Sequence, residues 1–160
     1  MKKDIFIDNN IACKFCNPLD EEYKKFIDWL RTDCPDNDKK NIDNYAHLVV
    51  SKKLIAEYIS SCRGCFNYSA MPVIIDRLNK NGRLEEFSNE KIKDFKRIYF
   101  TSRVLRKLHS NSEDRDHIPI VLMSDRKYVL THDNNFKDDL LYMSGNSAIV
   151  RHRPQDLPYK

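Results

Sequence analysis

Ile5-Phe6-Ile7-Asp8 and, far along the chain, Tyr128-Val129-Leu130-Thr131-His132-Asp133 are the two stretches that decide how this sequence folds. Each is a short apolar run that ends close to an aspartate. A run this short, bounded by polar residues, fits a buried strand better than a helix. Leu48-Val49-Val50 and Ala148-Ile149-Val150 have the same character. Helical patterns lie between these runs. Leu19 to Leu30 places Tyr23, Phe26, Ile27 and Leu30 on one face, with Glu21, Glu22, Lys24, Lys25 and Asp28 elsewhere. Ser51 is an N-cap for a helix carrying Leu54, Ile55, Tyr58 and Ile59. Pro72 to Leu78 forms another short helix, and Ser88 caps a long one reaching about Leu108. Asp114 begins a helix through Met123, with Pro119 tolerated in an early turn. A last helix follows Asp133 to Leu141. Residues 33 to 44 are polar, contain Pro35, and read as an exposed loop.

Strands alternating with helices imply a parallel sheet with right-handed crossovers and helices over its faces. The expected fold class is therefore α/β, three-layer α/β/α with a small central parallel sheet. The 160 residues are read as a single domain, 1–160. No apolar stretch approaches the roughly 20 residues needed to span a bilayer. The opening Met1 to Asp8 is basic but has no signal-like apolar run, so no membrane partner and a cytoplasmic location are expected.

The net charge of +4 permits a polyanionic partner without demanding one. Its distribution is uneven. Lys91, Lys93, Lys96, Arg97, Arg103, Arg106 and Lys107 crowd a segment in which Asp94 is the sole acid. With Phe95, Tyr99 and Phe100 interleaved, that segment can hold a phosphate backbone. A solvated helix face packed by its apolar side explains it equally well.

In open parallel sheets, ligands sit beyond the carboxyl ends of the strands. Asp8 follows the first strand directly and Asp133 follows Thr131 by two residues. Glu57 lies in the early turns of the helix after the second strand. Asp116 lies in the first turn of the helix leading to the Asp133 strand, although Glu113 and Asp114 beside it have similar claims. Four carboxylates meeting at one sheet end repel one another, and a cation removes that penalty. Oxygen ligands of this kind suit Mg²⁺ or Mn²⁺. Any single acid among the chain's 24 is more often a solvated loop residue, so the positions carry the argument. Asp125, Asp138 and Asp139 are read as solvated surface, with Asp138 or Asp139 as a neighbour of the metal if either is not.

Taken in order, these pieces resemble the PIN-domain family. Ile5-Phe6-Ile7-Asp8-Asn9-Asn10 is similar to that family's first strand, with its terminal acid and a following small polar residue. Ser51 to Glu57 resembles the segment that bears its glutamate. Asp114-Arg115-Asp116-His117 is similar to the start of the helix with the third acid, and Tyr128 to Phe136 to the strand and acidic turn. Ile149 to Pro154 resembles the closing strand. The likeness spans nearly the whole chain, but residues 62–112 exceed a minimal family member. It implies a metal-dependent nuclease, usually an endoribonuclease. Asp8, Glu57, Asp116 and Asp133 would then be the catalytic, metal-binding residues, and Thr131 a supporting hydroxyl. Asn9, Lys96 and Arg97 are further candidates to touch substrate. Toxins of toxin–antitoxin pairs, RNA-processing enzymes and defence effectors all occur in the family. RNA is the implied partner, and an antitoxin or a second copy of the chain is another.

Five cysteines without an export signal argue against a disulfide framework. Cys13-Lys-Phe-Cys16 and Cys62-Arg-Gly-Cys65 have zinc-ligand spacing and follow Asp8 and Glu57 by five residues each. Buried free thiols are the favoured reading and structural zinc the rival. Two other functional classes stand beside the nuclease: a non-catalytic PIN-like module that binds RNA or protein, with or without that zinc site, and a metal-dependent phosphatase. His117 and His132 adjoin candidate acids, but surface roles are preferred for both. Trp29 reads as core. The face with Phe26, Trp29 and Leu30 packs inward or covers a partner.

Overall fold

The computed structural model describes residues 1–17, 19–65 and 67–160. In chain order the elements are β1 (Lys3–Ile7), α1 (Asn9–Ala12), α2 (Glu21–Arg31), β2 (Ala46–Val50), α3 (Lys52–Ser61) and α4 (Met71–Lys80). They continue with β3 (Leu84–Glu86), α5 (Asn89–Tyr99), α6 (Ser102–Leu105), α7 (Ile118–Met123), β4 (Tyr128–Leu130), α8 (Asn134–Met143) and β5 (Ile149–Arg151). Four short 3₁₀ segments, at Cys13–Cys16, Asp36–Asn44, Asp114–Asp116 and Pro154–Asp156, join them.

The five strands form one all-parallel sheet in the order β3-β2-β1-β4-β5. This is the α/β class expected. β1 and β2 lie inside the sheet, and Ile5, Phe6, Ile7, Leu48, Val49 and Val50 are buried, as strands covered on both faces require. α2 packs with α4 on one face, and α7 packs with α8 on the other. The chain steps outward from β1 through β2 to β3, then returns to β4 on the opposite side of β1. The reversal leaves a crevice between the carboxyl ends of β1 and β4, where Ile7 pairs with Leu130.

The edge strand β3 had no clear signal, because two of its three residues are Glu85 and Glu86. Asn81-Gly82 closes α4 with Gly82 at φ +66°, and Arg83 N–H donates to Leu78 O at 2.8 Å. The helix expected from Ser88 to Leu108 is broken. Phe100 leaves helical geometry, and the Thr101 hydroxyl caps α6 by accepting the Val104 N–H. Residues 36–44 are helical in a 3₁₀ sense with no buried side chain, so the exposed reading of this stretch holds while its irregularity does not.

Phe26 and Leu30 are fully buried, and Trp29 packs on the chain's own Tyr159 at 4.8 Å between ring centres. That apolar face is core. Among the described residues no helix is long and apolar enough to cross a membrane.

Candidate functional site

Asp8 is the first residue beyond β1. Its N–H donates to Leu130 O at 2.9 Å, which fixes it beside the end of β4. Its backbone stands at the N-cap of α1, yet its side chain makes no capping bond. Instead Oδ2 accepts from Asn10 Nδ2 at 2.8 Å and from the Thr131 hydroxyl. Thr131 is buried and also accepts the Asp133 N–H at 3.0 Å. Asp133 caps α8, with Oδ1 accepting the Phe136 N–H at 3.0 Å. Asn10 closes the arrangement: its Oδ1 accepts the His132 N–H at 3.1 Å.

Glu57 comes from α3 on the other side of β1. His117 Nε2 lies 3.2 and 3.1 Å from its two carboxylate oxygens. Glu57 accepts, so Nε2 carries the proton of that bond. The imidazole is buried against Phe6, with ring centres 5.8 Å apart, and no partner to Nδ1 occurs among the described residues. His117 is therefore not the surface residue expected, and its role is to hold Glu57 in place.

Asp114 is an acid on which the charges of the others act. Burial is the first cause that pushes its carboxyl above the usual range; the negative charges of Asp133, Asp8 and Glu57 add to this, and His117 opposes it. Burial likewise pushes the Asp8 carboxyl up, against the pull of Thr131 and His117. Asn111 positions Asp114. Its Oδ1 accepts the N–H groups of Glu113 and Asp114 at 2.8 and 2.9 Å, and its Nδ2 donates to Asp114 Oδ2 at 2.6 Å.

Asp116 faces elsewhere. Its Oδ2 accepts from Lys53 Nζ at 2.8 Å and its Oδ1 from Lys96, which joins α3 to α5. Burial acts to raise its pKa, but the two ammonium groups hold the carboxyl below the usual range. Of the expected set, Asp8 and Asp133 are joined through Thr131, Glu57 is held by His117, and Asp116 is turned to Lys53 and Lys96, while the charges of Asp133, Asp8 and Glu57 act on Asp114. The segment begins as a 3₁₀ turn, in which residues three apart eclipse. Asp114 and His117 consequently share a side, and Asp116 cannot join them.

The substrate candidates are placed as follows. Thr131 lies inside the site. Asn9 Oδ1 accepts the Ser61 hydroxyl at 2.7 Å, tying the segment after β1 to α3. Lys96 is engaged by Asp116, and Arg97 pairs with Asp94 at 3.0 Å on the surface. Asp138 is exposed, as expected. Asp139 is not: it is buried and accepts the N–H groups of His109 and Ser110 at 2.7 and 2.9 Å, together with the Ser110 hydroxyl. Asn10 was missed as a site residue, although its place two after the strand-end acid is the signal that finds it.

Comparison with protein-family models, curated proteins and solved structures finds no match. The chemistry of the site therefore rests on its own residues. Among the described residues no group of three or more His, Cys, Asp or Glu side chains stands in position to hold a metal ion. The donor chemistry is of the kind a hard dication takes, since all the groups are carboxylates, and burial raises the pKa of two of them, Asp8 and Asp114.

That rise has a sign. A carboxyl whose pKa rises on folding binds its proton more tightly in the folded protein. Stability then falls as pH climbs from the ordinary 3.8 toward the raised value, and stays lower above it. In EDTA at pH 7, Asp114→Asn is expected to raise the melting temperature by a few degrees, with the gain shrinking as pH is lowered toward 3.8. Mn²⁺ at a hundred times its Kd is expected to stabilise the wild type by about 2.7 kcal/mol, and the variant less. Thermal melts at several pH values check this; an equal Mn²⁺ response in both proteins contradicts it.

Proposed function

We propose that the chain is a PIN-like, metal-dependent nuclease that hydrolyses phosphodiester bonds, with RNA as its substrate. The observation that carries the reading is the joining of Asp8 and Asp133 through Thr131 at the crevice where the strand order reverses, with Asp114 under the charges of Asp133, Asp8 and Glu57. These four residues would hold Mg²⁺ or Mn²⁺. When bound, such ions supply an acidified water as nucleophile and offset the charge on the phosphate.

The chain's own groups do the positioning. Thr131 and Asn10 both bond Asp8 Oδ2 and so fix the plane of that carboxylate. His117 does the same for Glu57 from the protein interior. Asn111 fixes Asp114, and the α8 N-terminus fixes Asp133. Outer-shell partners of this kind typically change metal affinity or activity by about 10–100-fold when removed. No side-chain nucleophile is needed, which agrees with a site whose polar groups all orient acids.

The test is a cleavage assay on single-stranded RNA and single-stranded DNA, in Mg²⁺ or Mn²⁺ against EDTA. Cleavage of RNA that requires the metal is the expected result. Binding of RNA without cleavage in any metal supports the non-catalytic module instead, and hydrolysis confined to small phosphomonoesters supports a phosphatase.

A further inference from the structure

We propose that Cys16, Cys62 and Cys65, with Cys13 as the fourth ligand, form a tetrahedral thiolate site for zinc that staples the segment after Asp8 to the end of α3. The site owes nothing to the nuclease reading, and its chemistry is that of a structural metal.

The two pairs reach one another through ordinary backbone geometry. Cys13–Cys16 is a 3₁₀ turn, so its two side chains, three residues apart, eclipse on one side. Cys62 is the buried C-cap of α3. The chain then turns back: Gly64 takes φ +81°, and the Cys65 N–H donates to Cys62 O at 2.9 Å. No atom crowds the position where a Cβ on Gly64 would stand, so the glycine is there for its conformation. The turn brings Cys65 beside Cys62, and the Cys62 thiol contacts Cys16.

The spacing is compatible with a metal site, and of the three thiols only Cys62 is buried. A tetrahedron with zinc–sulfur bonds of about 2.3 Å has sulfur–sulfur edges of roughly 3.8 Å. Cys16 Sγ lies 3.7 Å from Cys62 Sγ, so one edge already has the right length. Cys13 is exposed, and among the described residues its thiol bonds to Asn10 O at 3.4 Å. To serve as the fourth ligand its side chain would leave that bond and turn toward the other three. Four thiolates around Zn²⁺ leave two negative charges, and each pair contains one base, Lys14 and Arg63, both exposed. The fifth cysteine, Cys34, lies apart, with its Sγ 3.7 Å from Pro35 O.

The whole chain is purified reduced and anaerobically, then analysed for metal and titrated with Co²⁺ and Zn²⁺. About one zinc per chain is expected, and Co²⁺ should give strong thiolate-to-metal absorption that Zn²⁺ displaces. Cys65→Ser should weaken binding more than about 100-fold, beyond the usual cost of losing an outer-shell partner. Cys13→Ser, at an exposed position, should weaken it without disturbing the fold. Cys34→Ser and Asp8→Asn should leave zinc content unchanged, which separates this site from the acids. Wild-type protein with no stoichiometric zinc and no thiolate absorption overturns the proposal, whether or not any variant folds. So does a Cys16–Cys62 disulfide that persists under reduction, or metal that is lost in Asp8→Asn but kept in Cys65→Ser.

Discussion

Asp114→Asn is expected to lower metal-dependent RNA cleavage by more than about 100-fold, and Asp116→Asn to leave it within a few-fold of wild type. The threshold follows from outer-shell partners, whose removal already costs about 10–100-fold; a direct ligand should cost more. Asp8→Asn and Asp133→Asn belong with Asp114→Asn. The contrast is informative because the two aspartates are two residues apart and a sequence reading exchanges them. Asp116 neutralises Lys53 and Lys96. These are partly solvent-exposed ion pairs, and losing them costs on the order of 1 kcal/mol at most. Single-turnover cleavage with each purified variant makes the comparison, with circular dichroism confirming that each is folded. An active Asp114→Asn beside an inactive Asp116→Asn would return the third acid to position 116.

Asp139→Ala is expected to destabilise the fold by about 3 kcal/mol. The carboxylate is 1% exposed and is the acceptor for two backbone N–H groups and one hydroxyl. Alanine leaves those donors without an acceptor, while the loss of a solvated carboxylate such as Asp138 leaves nothing unpaired. For a chain of this size the shift in melting temperature is roughly 6–12 °C. Asp139→Asn keeps one oxygen and should fall between the two. The segment that Asp139 anchors leads directly into Asn111 and Asp114, so cleavage should fall along with stability. That is the opposite of the pattern for Asp114→Asn, which loses activity while gaining stability in EDTA. Denaturant unfolding of the variants distinguishes the cases; a change for Asp139→Ala no larger than that of Asp138→Ala would refute the anchoring role.

Three of the four acids could be placed from the sequence because strand ends are legible. Ile5-Phe6-Ile7 and Val129-Leu130 are apolar runs that can only be buried, and the residues that follow them must emerge at the sheet's rim. Glu57 was legible for a related reason, since Ser51 marks where its helix starts. Asp114 was not, because nothing in Glu-Asp-Arg-Asp reveals whether the turn is 3₁₀ or α, and that choice decides which acid faces inward. The break at Phe100 was hidden in the same way: the apolar spacing continues across it, and only the Thr101 cap interrupts the helix. His117 and Asp139 escaped because their burial comes from long-range packing. Each looks like an ordinary polar residue until Phe6 or the 109–110 backbone is beside it.

The two outermost strands are three residues long and bear Glu85, Glu86 and Arg151. A row of unpaired amide groups this brief, flanked by charge, is a poor template for a second polypeptide. Copies of the chain at high concentration thus have no ribbon to extend, and self-association has to proceed through helical surfaces. The helical surfaces that expose apolar side chains are those of α3, α4, α5, α6 and α8, through Ile59, Val73, Ile98, Tyr99, Leu105 and Tyr142.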